Sequence, residues 1–183
     1  MILEVLQYPD PRLRENCAAI AEGEIDEELR ELAAHMAETM YEEPGIGLAA
    51  PQVGVPRRLI VMDTRWPEDG ERELRVLLNP EIVLQEGKQL SKDEACLSVP
   101  DFSADVDRFE RVVVRARGLD WEPIEIDCTG VDSICLQHEI DHLDGVLYID
   151  RISRLKRDLY TRRRKKQLKR EQEEAGLPVT HRL

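Results

Sequence analysis

The sequence predicts an α+β fold, with short antiparallel strands around a buried helix that carries an HExxH motif. An amphipathic helix near the N-terminus and a basic helix at the C-terminus complete the expected architecture. Three observations lead there. Apolar residues recur at helical spacing in two well-separated segments. Several short runs between them have strand character, some of them alternating apolar and polar side chains. Those runs do not alternate regularly with helices, which argues against a doubly wound parallel sheet.

In chain order, Asp26 to Tyr41 is the first helix. Leu29, Leu32, Ala33, Met36, Ala37 and Met40 line one face, Asp26 supplies an N-cap, and Pro44-Gly45 ends the element. His35 lies beside that stripe with no partner motif nearby and reads as structural. Gly45-Ile46-Gly47-Leu48-Ala49-Ala50-Pro51-Gln52-Val53-Gly54 follows, its small residues permitting close backbone approach. It lacks the Lys-Ser/Thr of a phosphate-binding loop and the G-x-G-x-x-G spacing of a dinucleotide fold. Strand-like runs occupy Arg58–Met62, Leu74–Leu78, Glu81–Gln85, Arg111–Arg117 and Glu122–Asp127, with a polar, turn-rich loop over Thr64–Arg72. Val131–Leu143 is the second helix, apolar around much of its circumference and stopped by Gly145. Such a helix is buried, so its histidines face an interior and need partners. No internal repeat and no dividing linker is visible.

At 183 residues and 42% hydrophobic, the chain is large enough for one domain with a proper core. The formal charge of −12 argues against a general nucleic-acid binder, DNA included. That average conceals an asymmetry. Arg151 to Arg170 holds 11 Lys/Arg and a single acid, Asp158, a local charge of +10 that leaves about −22 on the remainder. The N-terminal residues show no secretory signal, and no apolar stretch approaches the roughly 20 residues of a membrane span. Cys17, Cys96, Cys128 and Cys135 are too few for a secreted disulfide scaffold. The expectation is a cytoplasmic protein without membrane attachment, whose cysteines are thiols or ligands.

His138-Glu139-Ile140-Asp141-His142 carries the chemistry. Histidines four residues apart stand one helical turn from each other, with Cβ atoms roughly 5–6 Å apart. Two imidazoles so placed converge on one metal ion at about 2.0–2.1 Å each. Glu139 points off that axis and stays beside the metal, where a general base can reach a metal-bound water. A third ligand is needed. Cys135 lies about 7.5 Å from the metal level along the helix axis, beyond the reach of its short side chain, and reads as a wall residue. Cys17 and Cys128 have no surrounding pattern. Cys96, in the extended segment Glu94-Ala95-Cys96-Leu97-Ser98-Val99-Pro100, can complete a Cys-His-His site with one position open, as catalysis requires.

Three segments in this order, GIGLAAPQVG (45–54), EACLSVP (94–100) and QHEIDHLDG (137–145), resemble the three motifs of the peptide deformylases. The likeness extends to Tyr8-Pro9-Asp10-Pro11-Arg12-Leu13, an Asn79-Pro80 turn and the basic tail, which is similar to that of the bacterial type 1 subgroup. It implies a hydrolase that removes the N-formyl group from the initiator methionine of nascent polypeptides and releases formate. Carried over by position, Cys96, His138 and His142 would hold one divalent metal, and Glu139 would move protons. Gln52 and the Leu97 N–H would hydrogen-bond the formyl oxygen. Gly47, Glu94, Ile46, Val131, Ile134 and Cys135 would shape the groove for methionine and its backbone. The resemblance implies Fe(2+) in the cell, with Zn(2+), Ni(2+) or Co(2+) in preparations. Residues 1–150 would form the catalytic part and 151–183 a basic helical tail of the same domain.

Two positions depart from the family pattern: Ala95 stands where glycine is usual, and Ser103 where many members carry an arginine that contacts substrate backbone. Neither removes a ligand or the base. Two rival readings are another HExxH metallopeptidase and a non-catalytic ribosome-binding relative. The first leaves two motifs unexplained, and intact Glu139 and Gln52 argue against the second. Arg162-Arg163-Arg164-Lys165-Lys166 is expected to dock on ribosomal RNA near the exit tunnel, against the plainer alternative of a solvated helix end.

Overall fold

The computed structural model describes residues 1–66 and 72–176, so most of the turn-rich loop at 64–72 and the last residues of the tail lie outside the described residues. The fold is α+β, with three helices and two antiparallel sheets. The helices are α1 (Glu27–Glu42), α2 (Gly130–Leu143) and α3 (Arg154–Glu174). The strands are β1 (Gly47–Ala49), β2 (Leu59–Met62), β3 (Arg75–Glu86), β4 (Gln89–Cys96), β5 (Val99–Arg108), β6 (Arg111–Arg117) and β7 (Pro123–Thr129). Five of them form one sheet in the order β1-β2-β3-β6-β7, and β4 and β5 pair as a separate hairpin.

Period-two alternation explains how the large sheet is covered. Neighbouring residues of a strand point to opposite faces, and in β2 all four side chains are buried. Ile60 and Met62 pack with Leu136, Ile140 and Leu143 of α2, while Leu59 and Val61 pack with Leu29, Ala33, Met36 and Met40 of α1. The sheet therefore lies between the two helices. Asp26 caps α1 by accepting from the Leu29 N–H at 2.9 Å. At the other end of α2, Gly145 takes φ +71° and donates its N–H to the His142 carbonyl. A Cβ there would sit 2.7 Å from the Arg14 carbonyl carbon, so glycine is required by contact as well as by conformation.

A third apolar cluster joins the β4-β5 hairpin to the segment after α2, through Val99, Ala104, Val106, Leu147, Tyr148 and Ile149. It also anchors α3. Tyr160 stacks on Phe102 with centroids 4.6 Å apart and donates to the Pro100 carbonyl at 3.1 Å. Buried Arg164 donates to the Tyr8 carbonyl and to Gln7 Oε1 at 3.1 and 2.9 Å.

Three strand expectations change. Leu74–Leu78 and Glu81–Gln85 belong to one strand, β3, with a register shift between Leu78 and Glu81. The Asn79-Pro80 turn is instead a kink inside that strand. Asn79 takes φ +51°, and its amide bonds the N–H and carbonyl of Ile20, so a tertiary tie replaces the missing ladder bonds. The expected runs left out β1, β4 and the ten-residue Val99–Arg108, in which Asp101, Asp105 and Asp107 disguise the inward row Ala104, Val106 and Arg108.

Candidate metal centre and its cavity

The end of β4 decides what the site can be. Ser91 pairs with Val106 and faces inward, so plain alternation would next turn Asp93 and Ala95 inward. An extra residue between Ser91 and Glu94, with Asp93 at φ +49°, reverses that parity. Glu94 and Cys96 then face the interior, while Asp93 and Ala95 are exposed. A second irregularity opposite, between the pairs Glu94↔Ala104 and Cys96↔Val99, pushes Asp101, Phe102 and Ser103 outward to border a cavity.

Cys96, brought inward in this way, meets α2. Its Sγ lies 3.3 Å from His142 Nε2, and the ligand atoms of Cys96, His138 and His142 all fall within 4.8 Å of one another. Among the described residues this is the one such group of potential metal ligands. His138 Nδ1 is engaged by Glu94 Oε1 at 2.7 Å, which leaves Nε2 as the nitrogen free to ligate. Tyr148 backs the His138 ring at a 6.1 Å centroid distance.

The electrostatics favour a cation among these donors. Burial works against charge on His138, but the hydrogen bonds that its ring donates to Cys96 and Glu94 outweigh it and raise its pKa well above the usual value. Burial and the charges of His138 and Arg108 hold His142 well below its usual value, as a neutral imidazole suited to ligation. A thiol and two imidazoles make a donor set that suits iron or zinc, so the residues present fit a divalent metal. Burial would raise the Glu94 carboxyl, yet the hydrogen bonds from His138 and Arg108 hold it down at about 2.

Glu139 is buried beside this group, and burial pushes its pKa up to about 7. Among the described residues no group hydrogen-bonds to its Oε2. Gly47 makes room for it. A Cβ on residue 47 would lie 2.8 Å from Glu139 Cδ and 2.9 Å from Cys135 Sγ. Gln52 is fixed from both ends: Oε1 accepts from the Ala49 N–H at 2.8 Å, and Nε2 donates to Ser98 Oγ at 3.1 Å and faces Cys96 Sγ at 3.4 Å. Cys135 stays outside the ligand group; its buried thiol, raised well above the usual range, points to the Ile46 carbonyl at 3.5 Å.

A cavity of about 930 Å³ opens over these residues. Ile46, Gly47, Gln52, Glu94, Cys96, Leu97, Val131, Ile134, Cys135, His138 and Glu139 all line it, and His142 lies behind. Of the two departures from the family pattern, both Ala95 and Ser103 also border it. Sequence reasoning missed Arg108, which is 4% exposed and donates to both Glu94 and Asp141. It also missed Ser98, which is fully buried and holds the Gln52 amide. No spacing signal marks Arg108, since its partners lie 14 and 33 residues away.

Comparison with known proteins adds to this geometry. A family model described as polypeptide deformylase matches residues 2–158. A peptide deformylase of Alkalilimnicola ehrlichii is 49% identical over 165 residues, 90% of this chain and 90% of that protein. The crystal structure of a peptide deformylase from Legionella pneumophila superposes with a TM-score of 0.84 at 42% identity, covering 94% of this chain and 98% of that one. A Met-Ala-Ser-bound peptide deformylase of class I type b from Acinetobacter baumannii gives 0.77 at 35% identity, covering 83% and 99%. These likenesses run along nearly the whole chain and include all three motif segments, and they do not favour another HExxH hydrolase or a non-catalytic relative. The chain belongs to the peptide deformylase family, hydrolases of protein biosynthesis that remove the formyl group from nascent polypeptides.

Proposed function

We propose that this cavity deformylates N-formylmethionyl peptides, with Cys96, His138 and His142 holding one divalent metal ion and Glu139 transferring protons. The observation that carries the reading is the convergence of one sulfur and two imidazoles from distant segments at a cavity of about 930 Å³. The Acinetobacter baumannii relative with Met-Ala-Ser bound supports a peptide occupant. Ferrous iron is the ion we assign in the cell, with zinc, nickel or cobalt able to replace it.

When bound, such a cation makes water a competent nucleophile near neutral pH and offsets negative charge on oxygen. The residues do the rest. Water adds to the formyl carbon as Glu139 takes its proton, and Glu139 returns that proton to the leaving nitrogen as the C–N bond breaks. The products are formate and a peptide with a free methionine amine. Gln52 Nε2 and the Leu97 N–H donate to the formyl oxygen as charge grows there; losing one such donor typically costs about 10²–10³ in turnover. Ile46, Gly47, Val131, Ile134 and Cys135 form the wall against the methionine side chain and backbone. Glu94 borders the same cavity, but with its carboxylate engaged by His138 its role is to orient that ring.

The tail reads as an appendage of the same domain, supported by the packing of Tyr160 and Arg164 against the body. Exposed Arg162, Lys165 and Lys166 on α3 suit a polyanion such as ribosomal RNA near the exit tunnel. Among the described residues no helix is long and apolar enough to cross a membrane. The deciding experiment is formate release from a formyl-methionyl peptide by anaerobically purified protein, with metal analysis of the same sample. Metal-loaded protein that releases no formate would overturn the reading.

A further inference from the structure

We propose that Asp141 and Arg108 are positioning residues for His138, acting through Glu94, and that exposed Arg151 is the outer end of the same relay. The inference rests on the metal-centre reading above.

The contacts form a closed ring. His138 Nδ1 donates to Glu94 Oε1 at 2.7 Å. Arg108 grips that carboxylate with both arms of a fork: Nε donates to Oε2 at 3.1 Å and Nη2 to Oε1. This fixes the plane of the carboxylate and therefore the direction of its bond to the imidazole. On its far side Arg108 Nη1 donates to Asp141 Oδ2 at 2.7 Å. Asp141 is itself a residue of α2, three positions after His138, so the helix that carries the imidazole also carries the clamp on its partner. Arg151 closes on Asp141 from outside, with Nε and Nη2 at 2.6 and 2.5 Å from its two oxygens.

Charge explains why the outer members matter. A single guanidinium between Glu94 and Asp141 leaves one negative charge over, and the side chains of Arg108 and Glu94 are only 2% and 5% exposed, so water is nearly excluded. Arg151 supplies the second positive charge, so two guanidinium groups balance two carboxylates. Without it, Asp141 competes with Glu94 for Arg108. Without the Asp141 charge, Nη1 loses its anchor and the fork on Glu94 is free to tilt. Either change loosens the ring that aims His138 Nε2.

The test loads the full-length protein stoichiometrically with Co(2+) or Ni(2+) and follows metal release into excess chelator. Partners of this kind change metal affinity by about 10–100-fold, so Asp141→Asn is expected to speed release by about tenfold and to shift the cobalt absorption spectrum. Arg151→Gln, a surface change, is expected to speed release a few-fold. Arg157→Gln, whose partner Asp150 lies outside the ring, is expected to match the parent. KM for a formyl-methionyl peptide is expected to stay unchanged at full loading. Parental release and spectrum in Asp141→Asn, whatever its melting temperature, would overturn the proposal. Parental release in Arg151→Gln would remove the outer end, and that variant carries the test should Asp141→Asn fail to fold. A parent protein that binds no stoichiometric metal fails at the earlier step and sinks both readings.

Discussion

Helices α2 and α3 treat polar groups in opposite ways. Nine of the 14 residues of α2 are buried, against two of the 21 residues of α3. Inside α2 the polar side chains stand where water cannot serve them, so they are satisfied by the protein or held ready for a ligand. His138 answers to Glu94, Gln137 to Phe109 and Ser133, and Asp141 to two arginines. Along α3, buried Arg164 apart, the charges are solvated, and pairs such as Arg154–Asp158 at 3.6 Å contribute little individually. Burial, more than residue type, therefore separates a charge with a chemical role from one that only shapes a surface field.

That contrast breaks most sharply at Glu139. Glu139→Ala is expected to lower formate release by about 10²–10⁴ or more while stoichiometric metal is retained. Metal loss would make Glu139 a ligand or a structural residue, and the division of labour inside α2 would need redrawing. Next comes Cys96→Ala, expected to release the metal in direct analysis, while Cys135→Ala retains it; the reverse result would move the third ligand onto α2 itself. Leu136→Ala, at a fully buried position, is expected to cost about 2–5 kcal/mol in chemical denaturation. At the β4 irregularity, Asp93→Val is expected to cost about 1–2 kcal/mol because its backbone is left-handed, with Asp93→Gly close to neutral.

The smallest effect belongs to α3. Replacing Lys165 and Lys166 with glutamine is expected to shift stability by within about 0.5 kcal/mol, yet to weaken ribosome binding and reduce its salt dependence. Ribosome affinity equal to the parent would leave these lysines as solvated surface. Substitution is a cleaner probe than truncating after Arg151, because truncation also strips Tyr160 from its apolar cluster.

Elements with strong local periodicity were legible in advance. Arg111–Arg117 has the same limits in sequence and structure, because Val112, Val114 and Ala116 alternate without interruption. The first helix is displaced by a single residue at each end, since Asp26 and the Pro44-Gly45 stop act locally. The β5 strand was not legible. Its inward row ends in Arg108, whose burial makes sense only once Glu94 and Asp141 surround it. Around the site, the motif segments named the residues bordering the cavity, but no local pattern shows that Glu94 turns its carboxylate to His138.

What the sequence determined by itself was the set of chemical parts: a helix with two histidines one turn apart, a glutamate between them, a thiol in an extended segment and a charged tail. Those follow from spacing along a single element, where geometry is dictated by the backbone repeat. Tertiary structure alone decided that Cys96 faces inward, because one extra residue at Asp93 reverses the parity of the strand and no local pattern announces it. It also decided which charges balance one another around buried Glu94 and Arg108, since these two, Asp141 and exposed Arg151 come from four separate segments. Water nearly excluded from Glu94 and Arg108 is what makes that balance obligatory.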